Sequence, residues 1–122
     1  MTYENWSVVK KWRMRGKRNT HLCIICEYKT IRTRWLTAYV SIPRTHKWYR
    51  KDEEKLDVNV RGGLTFSGTM LTWFGSRWFI GWDYAHICDC IDIDRADCEE
   101  HQLYWTVEEV EAEVREFVEK YL

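Results

Sequence analysis

HLCIICEYKTIRTRWLTAYVSI, residues 21–42, is the stretch that decides the fold. Residues 21–28 form a short apolar run bounded by charges, and residues 35–42 alternate and are rich in β-branched and aromatic side chains. Both patterns are typical of β-strands, and the basic KTIRTR between them is typical of a hairpin connection. Pro43 ends the second strand, because proline has no N–H to donate to the ladder.

A second hairpin is predicted further along the chain. Residues 69–74 and 77–83 are rich in strand-forming residues, and Gly75-Ser76 between them is a turn signal. Because strand side chains alternate, three large residues of the later strand share one face: Trp78, Ile80 and Trp82. Before this hairpin, residues 58–66 contain a double glycine, which marks a bulge or a close backbone approach.

Three polar segments lie outside these strands. Residues 1–20 are basic with interleaved apolar side chains, and they predict an edge strand or a short helix. Residues 43–57 predict a long loop, or a loop with one helical turn. Residues 92–101 predict an acidic loop.

The C-terminal residues carry the clearest helical pattern. Thr106 can cap a helix, and Glu109, three residues later, completes a capping box. Six apolar residues recur at helical spacing and form one stripe: Val107, Val110, Val114, Phe117, Val118 and Tyr121. We therefore expect a single α+β domain over residues 1–122, a curved antiparallel sheet of about five or six strands with one amphipathic helix, residues 106–122, packed on it.

Composition limits the class of protein. Of the 122 residues, 45% are hydrophobic and 16% are aromatic, which is enough to bury a core and excludes a disordered chain. No apolar stretch reaches the roughly 18 residues of a membrane span. The charged first residues lack the apolar segment of a secretory signal, so we expect a cytoplasmic protein.

Charge is distributed unevenly although the formal net charge is zero. Residues 1–61 carry 15 Lys and Arg against 6 Asp and Glu, whereas residues 62–122 carry 4 against 13. Either the two halves neutralise each other across solvated surfaces, or the fold keeps two faces of opposite sign that steer charged partners.

Five cysteines, an odd number in a chain expected in the cytoplasm, predict reduced thiols rather than a disulfide framework. Cys23 and Cys26 have C-x-x-C spacing, but in a strand they point to opposite faces, so we expect two core residues. A second group has zinc-ligand residue types without the two tight pairs of a structural site: Cys88, Cys90, Cys98, His86 and His101. We predict no bound metal and no cofactor.

Asp83, His86 and Asp89 are the candidate catalytic residues. They lie three residues apart, and on a helical turn all three would converge to hold a divalent cation or to run acid–base chemistry. In the alternative, both aspartates bind backbone amides in a turn and His86 is a satisfied polar core residue.

Arg61-Gly62-Gly63-Leu64-Thr65 is the candidate anion site. Adjacent glycines let backbone amides approach an anion, and Arg61 supplies charge. With Asp83 and His86 beside it, this segment would hold a small anionic ligand. The alternative is a glycine bulge in a bent sheet, with Arg61 in a salt bridge to Asp83 that pins two strands.

Two further groups are candidate partner-binding residues. Trp12, Arg13 and Arg15, followed by more basic residues, mix aromatic rings with positive charge as nucleic-acid interfaces do, although a solvated edge strand gives the same pattern. The second group lies in the loop and could either contact a partner or cover the end of the sheet: His46, Trp48 and Tyr49.

Three stretches form a recognisable set: YVSIPRTHKWYRKD (39–52), RGGLTFSG (61–68) and WFIGWDYAHICD (78–89). With the terminal helix they resemble small bacteriophage and prophage proteins that share a G-Y-V-x-V-P strand, a His-aromatic-Tyr loop, an H-G-G-L-T-[YF] strand and a G-[FW]-D-x-A-H-x-x-D segment. The resemblance spans about residues 35–122. Where those proteins have a histidine before the double glycine, this chain has Arg61, which favours binding over catalysis.

The resemblance implies an accessory protein that acts inside a bacterial host cell. We expect a binding module that inhibits a component of host defence, with a host protein or a small nucleotide as its partner, and homo-oligomers are compatible with this role. One alternative is a small nucleotide hydrolase that uses Asp83, His86 and Asp89. The other is a phage protein that binds nucleic acid through residues 10–18.

Overall fold

A computed structural model describes residues 6–72 and 75–122. Its regular elements are five strands and one helix: β1 Trp6–Arg15, β2 Thr20–Lys29, β3 Arg34–Ser41, β4 Phe66–Thr72, β5 Gly75–Asp83 and α1 Val107–Tyr121. Short 3-10 turns lie at Glu53–Lys55 and Arg95–Asp97. The predicted α+β fold is confirmed, with five strands in an open antiparallel sheet and the C-terminal helix packed on it.

The strand order is β1-β2-β3-β5-β4, and every neighbouring pair is antiparallel. The basic segment at the N-terminus forms edge strand β1, which was one of its two predicted states. Thr72 pairs with Gly75, so the connection of the last hairpin falls at residues 73–74, outside the described residues. The predicted turn at Gly75-Ser76 was wrong, because both residues belong to β5.

One face of the sheet, here called the covered face, carries the main core. Buried side chains from β2, β3 and β5 pack there against the apolar stripe of α1, including Trp82, whose ring centroid lies 5.0 Å from that of Phe117. The loop of residues 43–65 adds apolar side chains to the same core. Thr106 caps the helix, and its capping box with Glu109 is confirmed.

The other face, here called the open face, has a smaller core. Its buried residues are Leu22, Ile24, Cys26 and Phe79. The partly buried apolar residues packed against them all belong to strands: Val8, Tyr28, Tyr39, Phe66 and Met70. Within the described residues, therefore, every apolar side chain that packs against this core belongs to the sheet itself.

The double glycine does not form a sheet bulge. Residues 61 and 62 form a turn, and Gly62 and Gly63 have φ angles of +70° and +80°, which favour glycine. Residues 58–65 lie outside the sheet, and strand β4 begins only at Phe66. The alternative expectation, a close backbone approach, is met: a Cβ added to Gly62 would lie 2.1 Å from the His86 ring.

The expectation of five reduced thiols was wrong. Cys90 and Cys98 form a disulfide with their Cα atoms 5.5 Å apart. The chain between them folds back through the Arg95–Asp97 turn, a contact that the cysteine spacing did not reveal. Cys23 and Cys26 are buried on opposite faces of β2, as expected.

In the part of the chain described here, no helix is both long enough and apolar enough to cross a membrane.

Candidate functional site

Asp89 is the centre of a buried polar cluster. Its Oδ1 accepts hydrogen bonds from Arg61 Nε and Trp105 Nε1, both at 2.9 Å, and its Oδ2 accepts one from the His86 backbone N–H at 3.0 Å. The Asp89 side chain has no exposed surface, whereas that of Arg61 is 27% exposed. Such a buried carboxylate is tolerated because an opposite charge and several donors compensate for its lost hydration.

Asp83 and His86 lie beside this cluster at the end of β5. Asp83 accepts hydrogen bonds from the Ala85 backbone N–H at 3.1 Å and from Thr65 Oγ1 at 3.0 Å. His86 Nε2 lies 3.3 Å from Asp83 Oδ1, without the alignment of a hydrogen bond. The backbone of Gly62 closes over the imidazole, so this position excludes any side chain.

The structure thus brings together most of the residues predicted for catalysis and anion binding. Arg61 pairs with Asp89, however, and not with Asp83, and both aspartates accept from backbone amides as in the turn alternative. The Gly63 N–H donates to Val60 O, so this amide already has a partner inside its own turn. The observed contacts therefore fix two loops to each other, and a ligand or a reaction at this cluster stays a prediction.

Trp105 is the member of the cluster that the sequence analysis missed. Besides its bond to Asp89, its ring lies 5.5 Å from the Arg61 guanidinium and 4.7 Å from the Tyr84 ring centroid. Its position immediately before the helix cap Thr106 gave no sign of this contact, because Asp89 and Trp105 are brought together by the intervening loop.

The loop aromatics chosen as partner-binding residues lie on the covered face. Trp48 packs at a tilt against Phe117 and Tyr121, with ring centroids 6.2 and 6.1 Å away, and the Tyr49 ring centroid lies 6.4 Å from that of Trp78. These are the contacts expected of the covering alternative. A role in partner binding stays a prediction.

His46 and Trp12 also pack inside the molecule. The His46 ring lies edge-on to His21 and to Trp48. Trp12 is half-buried against the main core, with the Arg115 guanidinium 5.3 Å from its ring.

Arg13 and Arg15 have a different position, because they extend from β1 on the open face. Arg13 pairs with Leu22 and Lys11 with Ile24, and both partners belong to the open-face core. Lys11, Arg13 and Arg15 are exposed. Among the described residues, the register places one further cation, Arg77, and one acid, Asp83, on this face.

Aromatic rings occupy the open face in two rows. In the first row Tyr28 and Trp35 pair across β2 and β3 and stack at 5.4 Å with an interplanar angle of 8°. Trp6 pairs with Tyr28 from the edge strand and is 39% exposed. In the second row Tyr39 and Phe66 meet edge to face at 5.5 Å.

Glycines make room for the second row. A Cβ at Gly81 would lie 2.6 Å from the Tyr39 ring, and a Cβ at Gly68 would lie 3.1 Å from the Phe66 ring. The rings therefore lie across the sheet rather than standing out from it. The result is an aromatic surface that lies close to the sheet, and its members are all half-buried: Tyr28, Trp35, Tyr39 and Phe66.

A cavity of about 420 Å³ separates the turn of residues 59–62 from α1. Its polar lining carries both signs of charge, from Arg61 and Lys120 and from Glu113 and Glu116. Since these charges oppose one another, the cavity gives no preference for an anionic or a cationic ligand.

The two buried cysteines, Cys23 and Cys26, are not reactive thiols. Burial raises the pKa of Cys23 to about 12 and that of Cys26 to about 11, so neither is a thiolate near neutral pH. Cys90, Asp92 and Cys98 place three potential metal-ligand atoms within 4.8 Å of one another, but the two sulfurs are bonded to each other.

No family model, curated protein or solved structure matches this chain. Function must therefore be inferred from the residues and their arrangement.

Proposed function

We propose that this protein is a binding module and that the open face is its contact surface. The observation that carries the proposal is an aromatic face whose core, within the described residues, is covered by strand side chains alone. Half-exposed tyrosine, tryptophan and arginine are the residue types that supply most of the energy at interfaces. A partner would bury rings that otherwise remain in contact with water.

The arrangement at Asp89 supports binding more than hydrolysis. A general base or a metal ligand needs lone pairs that face a substrate, and those of Asp89 are directed at Arg61, Trp105 and a backbone amide. Asp83 is more accessible, but it already accepts from Thr65 and Ala85. The hydrolase remains the alternative, carried by Asp83 and His86.

The class of partner follows from the resemblance to small phage and prophage proteins. On that ground we propose that the protein acts in the cytoplasm of a bacterial host and inhibits a component of host defence. Its target would be a defence protein or a nucleotide signal, and self-association is a further outcome to test. The row of cations on β1 suits such a role, because a face of one sign orients the module toward its partner.

Charge reversal on the open face tests the contact surface. Arg13→Glu with Arg15→Glu changes two exposed side chains, so the fold should survive. Lys51→Glu with Lys55→Glu makes the same change on the loop beside the covered face, and these residues are also exposed. Wild-type and both variants would be used to capture proteins and small molecules from bacterial lysate, followed by mass spectrometry and binding to each purified candidate.

The proposal expects a partner that the wild-type and the loop variant bind equally and that the open-face variant loses. Equal loss of partner binding in both variants would indicate nonspecific electrostatic attraction. If the open-face variant still binds the partner, the contact surface lies elsewhere on the protein.

Hydrolysis is tested separately. Wild-type protein, Asp83→Asn and His86→Gln would be incubated with nucleoside triphosphates and cyclic nucleotides, with and without Mg²⁺. A turnover that both variants abolish would favour the hydrolase over the binding module.

A further inference from the structure

We propose that the open face binds single-stranded nucleic acid, with bases stacked on its aromatic rows and phosphates paired with the cations of β1. This inference rests on the proposed function, since it takes the open face as the contact surface, and it names single-stranded nucleic acid as the partner of that face in place of a defence protein or a nucleotide signal. Three features of the open face support it: the rings, the row of cations and the absence of a protruding element over its described core.

The rings supply the stacking platform. Residues 28 and 35 lie four positions from residues 24 and 39 along their strands, so the Cα atoms of the two rows are about 13 Å apart. The Tyr28 and Tyr39 side chains interact by a hydrogen bond across this gap, so the two rows form one continuous surface on which an extended single strand can stack its bases. Stacking of unpaired bases on aromatic side chains is the usual source of affinity for single strands, and it tolerates any sequence.

The cations supply the matching backbone contacts. Lys11, Arg13 and Arg15 occupy alternate positions of β1 and therefore repeat about every 7 Å along one side of the face. This repeat is close to the separation of successive phosphates in an extended strand. A duplex fits less well, because its bases are stacked inside and no described helix or loop projects from this core to enter a groove.

Charge complementarity selects the same side of the molecule. The helix on the covered face carries glutamates at 108, 109, 111, 113, 116 and 119. A polyanion is repelled by the helix, whose six glutamates outnumber Arg115 and Lys120, and is attracted to the open face, where the register places one acid against four cations. An acidic protein segment would respond to the same charges but would not need flat aromatic platforms.

Fluorescence anisotropy tests the inference with defined probes. Labelled oligothymidylate and oligouridylate of about 15 nucleotides would be compared with a duplex of equal length and with polyglutamate, across a series of salt concentrations. We expect binding of the single strands, at least tenfold weaker binding of the duplex, and no binding of polyglutamate. Equal binding of all four probes would show general electrostatic attraction and would overturn the inference.

Two variants separate stacking from charge. Tyr39→Leu with Phe66→Leu keeps apolar bulk but removes two π faces, and it should weaken single-strand binding about fivefold or more. Arg13→Gln with Arg15→Gln should reduce the magnitude of the salt slope, log K against log salt, by about 1.4. Lys51→Gln with Lys55→Gln is the matched control and should change neither quantity.

Thermal unfolding of each variant checks that the fold is retained, and the charge variant provides the test if the leucine variant does not fold. Unchanged affinity and salt slope in the folded open-face variants would overturn the inference. Absence of oligonucleotide binding would overturn it too, but the proposed function would stand if a captured protein still depends on Arg13 and Arg15. If neither oligonucleotide binding nor protein capture depends on Arg13 and Arg15, both proposals are contradicted.

Discussion

Arg61 and Asp89 form an ion pair at 2.9 Å that joins the turn before β4 to the segment after β5. Asp89 is fully buried, and Trp105 donates to the same carboxylate oxygen that Arg61 contacts. A charge in this position is stable only while its partners remain. The pair therefore acts as a structural connection between two loops.

Removing the charge of Asp89 should destabilise the protein. In Asp89→Asn the Arg61 charge loses its partner and an amide N–H₂ faces the His86 backbone N–H, so we expect a loss of about 3 kcal/mol in the free energy of unfolding. Asp83→Asn is the control, because its carboxylate is 27% exposed and should cost less than about 1 kcal/mol. Urea denaturation measures both, and equal small losses would contradict the structural role.

Phe117 connects the helix to the main core. It is 3% exposed and touches the rings of Trp48 and Trp82, so Phe117→Ala should lower the free energy of unfolding by about 3 kcal/mol or more. Glu116→Ala, on the exposed side of the same helix, should change it by less than about 0.5 kcal/mol. An unchanged melting temperature for Phe117→Ala would mean that the stripe does not face the core.

Stability should fall in mild acid because of a buried histidine. His21 has no exposed surface and its Nδ1 donates to Ser41 O, while burial lowers its pKa below the usual 6.5. Burial also lowers the pKa of His46, helped by His21 and Lys47. Below about pH 6.5 the unfolded chain therefore binds protons that the folded chain does not, and the stability present above that pH is lost.

Urea midpoints between pH 7.5 and 5.5 measure this effect. The wild-type midpoint should decrease as the pH falls, and His21→Asn should show a shallower decrease because His46 alone remains. An equal decrease in both proteins would assign the effect to other groups.

The disulfide can be counted directly. Protein purified without reductant and then unfolded should expose three reactive thiols, from Cys23, Cys26 and Cys88, and five after reduction. Cys98→Ser removes the disulfide, which closes a short loop between cysteines separated by 8 positions in sequence. We expect it to lower the free energy of unfolding by about 2 kcal/mol. Five thiols without reduction would restore the original expectation.

Local sequence patterns predicted the parts of the fold that local physics determines. A short apolar run located β2, alternation located β3, and the cap at Thr106 located α1, because these signals depend on neighbours within a few residues. The turn of the second hairpin was wrongly placed at Gly75-Ser76, since Gly75 is a turn signal by composition but is paired with Thr72 in the sheet.

The sites were predicted less well, because they depend on contacts distant in sequence. Arg61 was expected near Asp83 or His86, and the structure brings the adjacent Gly62 against His86 while Arg61 pairs with Asp89. Trp105 joins that cluster through a loop whose path no motif indicates. The open face was missed because its rings come from four strands whose order only the tertiary structure reveals.

Chemical-shift mapping on isotope-labelled protein tests the contact surface most directly. Oligothymidylate would be titrated into the wild-type protein while backbone amide and aromatic signals are followed. The account predicts that the largest changes fall on the open face, at Tyr28, Trp35, Tyr39 and Phe66 and along β1, with α1 unaffected. Changes confined to residues 59–65 and 83–89 would contradict it and would place binding at the Arg61–Asp89 cluster instead.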